Sequence, residues 1–339
     1  MLPLGSGEGG CGARAYTVSA LADRNHDNVG RVAVLGAGTM GPGIAAVFAG
    51  AGFGACVYAR REDATTGARA RANEARQLLL DNDLATHADT SLDATDDLGE
   101  ALRGARLVIE AISEDPKAKR ELFEQVEELV GEDVILASTT SGLDIDAISA
   151  GARNGARFVV MHFWNPAHLV PLVEVMGGVE TASSLLDEVE SLLRRIGKYP
   201  VRLNRYAPGF IGARLQQAVV REAIALLEAG VASAEEIDAA TRHGFGARFP
   251  VLGPLETSDL GGLDVVAALH SYLLADLDNS TKPQDLLKER IANGDLGVKS
   301  GRGFYDWSVR DVSELAQRRD QELITRLKSL HRSGELSLG

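Results

Sequence analysis

The chain has 339 residues, is 45% apolar and carries a net charge of −13. That composition supports buried cores and argues against nucleic acid or an anionic membrane as a partner. The length accommodates two domains, and two cysteines, Cys11 and Cys56, exclude a disulfide framework or a cysteine metal cluster and fit a cytoplasmic protein.

Residues 1–30 lack a basic start followed by an apolar core, so they read as a disordered extension and not as a secretory signal. No apolar run has the length of a membrane span. Residues 31–62 then read RVAVLGAGTMGPGIAAVFAGAGFGACVYARRE. An apolar strand enters the turn Gly36-Ala37-Gly38-Thr39-Met40-Gly41, a helix-forming run follows, and a second strand ends at Tyr58. This is the dinucleotide fingerprint in its strand–turn–helix–strand context. Gly36 serves the tight turn, Gly38 the close approach of a pyrophosphate, and Gly41 the packing of helix on strand. With Thr39 and Met40, the turn offers backbone N–H groups at a helix N-terminus to the phosphates. An NAD site usually carries an acid at the end of the second strand. Here the residues are Ala59, Arg60 and Arg61. Arg60 and Arg61 suit a 2′-phosphate, so NADP(H) is the expected cofactor and NAD(H) the alternative.

Further strands are predicted near 107–110, 134–137, 158–161, 170–175 and 199–203, with helices at 62–80, 116–130 and 182–196. Strands separated by helices predict an α/β, Rossmann-type doubly wound parallel sheet over 31–206. After Pro208-Gly209 the pattern becomes helical at 211–229, 234–241, 255–274 and 284–292, which predicts an all-helical domain over 207–310. Residues 311–339 read as a charged, solvated helical tail.

In open α/β sheets ligands bind beyond the carboxyl ends of the strands. Two predicted strands end there in reactive side chains: one in the hydroxyl-rich turn to Ser141, the other in His162-Phe-Trp-Asn165-Pro. Histidine is the side chain that ordinarily exchanges protons near neutral pH, so His162 is a candidate general base. Glu174, an acid within an apolar strand, is a candidate to orient it. Ser141 is a candidate to bind a substrate oxygen. His168, Arg69, Arg71 and Arg76 are read as solvated, and Arg248 as one end of a surface salt bridge. No HExxH or CxxC pattern occurs, so no metal is expected, and no GxSxG elbow occurs.

These residues resemble the 3-hydroxyacyl-CoA dehydrogenase family over about 31–308. The resemblance rests on GAGTMGPGIA, Val108-Ile-Glu110-Ala-Ile112, Ser138-Thr-Thr-Ser141, His162-Phe-Trp-Asn-Pro166, Leu172-Val-Glu174-Val, Pro208-Gly-Phe-Ile211 and Leu296-Gly-Val-Lys299-Ser-Gly-Arg-Gly-Phe-Tyr305. It implies hydride transfer between a nicotinamide and the 3-hydroxy carbon of a hydroxyacyl thioester. In that scheme His162 takes the proton, Glu174 orients it, and Ser141 binds substrate. It further implies Glu110 at a ribose, Lys299 at the cofactor, and a homodimer formed through the helical domain. Three departures stand out. Ala213 replaces the family's substrate-binding Asn, leaving Asn165 and Gln216 as candidates for that bond. The lysine-rich hairpin of long-chain members is missing from 62–106. The acid expected at the second strand is Ala59. Small free 3-hydroxy acids and carrier-bound acyl groups therefore remain alternative substrates, and a non-catalytic, crystallin-like cofactor binder is the alternative of another class.

Overall fold

Eight strands form one sheet in the computed structural model, which describes residues 30–337. They are β1 (Arg31–Leu35), β2 (Ala55–Tyr58), β3 (Leu92–Thr95), β4 (Ala105–Glu110), β5 (Ile135–Ser138), β6 (Phe158–Phe163), β7 (Leu172–Gly177) and β8 (Tyr199–Arg202). The order is β3-β2-β1-β4-β5-β6-β7-β8. Helices α1 (Gly41–Gly50), α2 (Glu62–Asp81), α3 (Leu98–Leu102), α4 (Pro116–Leu129), α5 (Ile145–Ile148) and α6 (Ser183–Arg195) connect the strands. Central strands such as Val32–Leu35 and Leu107–Ile109 are buried, which is why they read as continuous apolar runs. One face packs on α1, α2 and α6 and the other on α3, α4 and α5, giving two apolar clusters. The dinucleotide turn lies at the switch between β1 and β4, where such sheets open a crevice.

The sheet is parallel from β3 through β6, but β7 pairs antiparallel with β6. This departs from the all-parallel expectation. Only residues 164–171 join β6 to β7, too few for the crossover that a parallel pair needs. The edge strand β3 has one buried apolar residue, Leu92, so its sequence gave no strand signal. Residues 1–29, with Cys11 and most of the expected extension, lie outside the described residues; Cys56 is buried and free.

The second unit holds α7 (Gly212–Glu228), α8 (Ala234–His243), α9 (Pro254–Gly261), α10 (Leu263–Leu273) and α11 (Asp285–Ala292). The single helix predicted at 255–274 is broken at Gly262, whose φ of +92° lies in the left-handed region. Across these five helices Ile224 is the one buried residue.

The last helix, α12 (Val312–Ser333), corrects the expectation of a solvated tail. Ile324, Leu327 and Leu330 are buried in the same cluster as α1 and α2, and Lys328 Nζ donates to Asn82 Oδ1 at 3.0 Å. The one-face apolar stripe was present in the sequence, but its charged surroundings hid it. Each such residue stabilises the docked helix by roughly 1.5–3 kcal/mol.

Candidate active site

The register of the sheet brings the site together. Glu110 at the end of β4 stands beside Ser138 at the end of β5, and β6 continues past that level to His162. The antiparallel return of β7 sets Glu174 opposite His162. Twelve residues of separation thus become a direct contact, His162 Nδ1 to Glu174 Oε2 at 2.8 Å, with both residues buried. Nδ1 donates to the carboxylate, so Nε2 of the neutral ring is left as the acceptor. Among the described residues Nε2 has no hydrogen-bond partner. Trp164 and Phe210 pack against the imidazole, with ring centroids 5.7 and 5.5 Å away.

Glu174 does more than orient the histidine. Its Oε2 also accepts from the Trp164 indole at 3.2 Å. Its Oε1 accepts the backbone N–H groups of Ile211 and Gly212 at 2.9 and 3.0 Å. Those are free donors at the start of α7, where a negative charge is favoured. Gly209 and Phe210 reach this position with φ of +76° and +50°. A left-handed conformation at phenylalanine costs about 1–3 kcal/mol and is kept where the surroundings fix it. Burial works to raise the Glu174 pKa, but the bonds from His162, Gly212, Ile211 and Trp164 outweigh it and hold the carboxyl below its ordinary range. The carboxylate that fixes the imidazole therefore also ties the helical unit to the sheet.

Ser141 is exposed just beyond β5. Glu114 Oε1 holds it, accepting its N–H at 2.9 Å and its hydroxyl at 3.2 Å, together with the Thr140 hydroxyl at 2.6 Å. Burial tends to raise the Glu114 pKa, yet Thr140, Lys119 and the Ser141 amide lower it overall. Glu114 and Lys119 were not among the predicted residues. A signal existed for Lys119, a cation on the apolar stripe of α4 with Phe123 and Val126.

Glu110 requires a correction. It is fully buried, and its two oxygens accept from Lys119 Nζ at 2.7 and 2.9 Å, the Ile112 N–H at 2.8 Å and the Ser138 hydroxyl at 2.6 Å. It braces the turns after β4 and β5 and is not presented to a ribose. Lys299 sits on an exposed turn of the helical unit. The segment around it packs on α8 through Tyr305, whose hydroxyl meets Asp238 and Ala234, so no described contact brings Lys299 to the dinucleotide turn. Gln216 is likewise exposed on α7, with no described partner.

The dinucleotide turn fits its expected ligand. A Cβ on Gly36, at φ +138°, would collide with the Ala111 carbonyl, and one on Gly41 with the Gly36 carbonyl. Gly38 faces open space, as a residue that a pyrophosphate approaches should. At the end of β2, Ala59 is buried, Arg60 is exposed without an ion pair among the described residues, and Arg61 pairs with Asp63 at 3.0 Å.

Beside the turn lies a cavity of about 470 Å³, lined by Gly38, Thr39, Pro42, Arg71, Asn165 and His168, among others. Arg71 and His168 were expected to be solvated, and both line this cavity. Arg71 donates to the Ala37 carbonyl at 2.7 Å. His168 is half-buried, and its pKa is pushed down to about 4, first by burial and then by the charge of Lys198. Arg248 is exposed and has no ion-pair partner among the described residues.

The family model for the 3-hydroxyacyl-CoA dehydrogenase NAD binding domain matches residues 31–206, and the model for the C-terminal domain of the same family matches 209–307. The chain is 34% identical to 5-formyl-3-hydroxy-2-methylpyridine 4-carboxylate 5-dehydrogenase of Mesorhizobium japonicum, over 86% of this chain and 96% of that protein. It is also 34% identical to 3-hydroxybutyryl-CoA dehydrogenase of Clostridioides difficile, over 82% and 99%. Among solved structures, the 5-formyl-3-hydroxy-2-methylpyridine 4-carboxylic acid 5-dehydrogenase, described as an NAD+ dependent dismutase, superposes with a TM-score of 0.85 at 33% identity, covering 89% of this chain and 99% of that one. (S)-3-hydroxybutyryl-CoA dehydrogenase from Ralstonia eutropha gives 0.66 at 33% identity, covering 82% and 99%.

Proposed function

The chain belongs to the 3-hydroxyacyl-CoA dehydrogenase family, and from that premise we propose that it oxidises a 3-hydroxyacyl thioester to the 3-oxo compound, and the reverse, with His162 as general base. The observation that carries the reading is the buried His162–Glu174 pair at the carboxyl edge of the sheet. His162 Nε2 accepts the hydroxyl proton of the substrate, and the carboxylate of Glu174 stabilises the imidazolium that results. Ser141, held in place by its backbone N–H bond to Glu114, turns its hydroxyl proton from that carboxylate to the substrate oxygen. Gly36, Gly38, Thr39, Met40 and Gly41 hold the dinucleotide, which when bound supplies the hydride acceptor or donor at the nicotinamide ring. In the reductive direction His162 returns its proton to the developing alkoxide. The intact set of Ser141, His162 and Glu174 favours catalysis over a purely structural role.

A second substrate class has specific support. α2 is a single helix that leads to β3 through a short connection, without a lysine-rich hairpin. Arg71 stands at the cavity with donors to spare. The missing hairpin suits a small hydroxy acid, whereas a guanidinium beside Gly38 and Thr39 suits a phosphate of the dinucleotide. One activity panel decides between them: 3-hydroxyacyl-CoA esters, free 3-hydroxy acids and carrier-bound hydroxyacyl groups, each with NAD+ and NADP+. Turnover on the CoA esters is the expected result. Turnover on free acids alone would replace it, and no turnover on any member would overturn the reading.

The same panel tests the finer cofactor assignment. The enzyme uses a nicotinamide dinucleotide, and the proposal is a preference for NADP(H). Support comes from the absence of a carboxylate at Ala59 and from the unpaired Arg60 beside it. The expected result is a higher kcat/KM with NADP(H), and Ala59→Asp shifts it toward NAD(H). Equal use of both, or a preference for NAD(H), sinks the assignment.

The chain is further proposed to work as a homodimer joined through the helical unit. Leu255, Leu260, Leu263 and Tyr272 are each more than 60% exposed in the single chain, and apolar surface on that scale marks an interface. Sedimentation should give twice the chain mass, and Leu260→Asp should shift it toward one.

A further inference from the structure

Lys198 precedes β8 and is almost completely buried, at 2% exposure. Its amine has no carboxylate partner among the described residues. It donates instead to two backbone carbonyls, Ala167 at 2.6 Å and Val170 at 2.9 Å. Both belong to the connection between β6 and β7, the strands that carry His162 and Glu174. Within that connection the N–H groups of Leu169 and Val170 bond to the Pro166 carbonyl. Its outer residues, Asn165 to His168, form one wall of the cavity at the dinucleotide turn. Behind them a narrow space is enclosed by Lys198, His168, and Leu327 and His331 of α12.

An unpaired ammonium in a dry place is expensive, and a plain apolar side chain would fill the volume at lower cost. What Lys198 supplies that an apolar residue cannot is a pair of hydrogen bonds from one atom, tying Ala167 to Val170 within the turn. Burial also lowers its pKa to about 7, and the amine donates in either protonation state.

We propose that Lys198 is a positioning residue of the reaction: its amine clamps the turn at Ala167 and Val170 and so sets where Asn165 stands in the wall of the cavity at the dinucleotide turn. This rests on the dehydrogenase reading above. Asn165 is the amide side chain on that wall, beside Gly38 and Thr39 of the dinucleotide turn.

The test compares Lys198→Met, Asn165→Ala and the double variant in the full chain, using the substrate that the panel identifies. Lys198→Met is expected to lower kcat/KM by about 10–100-fold, mainly through the KM of the dinucleotide, with the dinucleotide dissociation constant raised by a similar factor. The double variant is expected to be no worse than the weaker single one, because both act through one contact. Amide exchange should quicken at Leu169 and Val170 and stay at wild-type rates in β1 and β6. Losses that multiply in the double variant, or an unchanged KM in folded Lys198→Met, overturn the proposal. So does exchange that quickens throughout the sheet, since that marks a part of the fold alone. If Lys198→Met does not accumulate as folded protein, Lys198→Leu, which likewise lacks a donor, is measured in its place and the same outcomes decide. A wild-type enzyme inactive on the whole panel would overturn the dehydrogenase reading instead. Exchange and cofactor binding need no turnover and would still decide whether the turn depends on Lys198.

Discussion

Replacing His162 with alanine is expected to lower kcat by about 10²–10⁴-fold, the usual contribution of a positioned general base. The cofactor dissociation constant should not change, because the dinucleotide turn follows β1 and is built without the imidazole. Folding should suffer little beyond the lost packing of the ring on Trp164 and Phe210. The measurement is steady-state turnover with a cofactor titration on the same preparation. Wild-type turnover in His162→Ala would end the general-base assignment.

Replacing Glu174 acts on both chemistry and fold, and two substitutions separate the effects. Glu174→Ala leaves the His162 and Trp164 ring N–H groups and the Ile211 and Gly212 amides without their acceptor. Breaking a buried pair of this kind costs about 3–5 kcal/mol, and a fall of about 6–12 °C in Tm is expected. Glu174→Gln keeps the volume and one acceptor oxygen, so the start of α7 stays anchored and Tm falls less. It removes the charge that fixes the imidazole tautomer, and kcat should fall about 10²–10⁴-fold. A variant with the glutamine that keeps wild-type kcat would show that the carboxylate is needed for the fold only.

The acid limb of stability follows from the same contacts. The folded-state pKa of Glu174 lies below its ordinary value. Its ionised form therefore stabilises the fold fully above the unfolded value of about 4.3. That contribution is lost as the pH falls through the lower, folded value. Unfolding measured from pH 6 downward should show a smaller acid-side loss in Glu174→Gln than in wild type.

Much of this was legible in the residues. The spacing of Gly36, Gly38 and Gly41 between two apolar strands specified the dinucleotide turn, because a Cβ at Gly36 or Gly41 would strike backbone and Gly38 leaves the approach to a pyrophosphate open. The alternation of strands and helices specified the doubly wound sheet, because buried parallel strands must be apolar throughout. An acid inside an apolar strand marked Glu174 as a residue needing a partner. These are local demands, written in neighbouring residues.

The tertiary structure decided what depends on contacts across the chain. Glu110 sits in an apolar strand as Glu174 does, yet its oxygens are consumed by Lys119, Ser138 and Ile112. No pattern within β4 distinguishes an acid that braces turns from one that meets a ligand. Arg71 and His168 lie far apart in sequence and become one cavity wall only when α2 and the β6–β7 turn are folded side by side. The antiparallel return of β7, which closes the His162–Glu174 contact, follows from a short connection whose direction the periodicity of the strand does not encode. Residue type and spacing thus determined which groups could do chemistry. The register of the sheet and the docking of α7 and α12 determined which of them face a ligand, because hydrogen-bond partners are allotted in space and not along the chain.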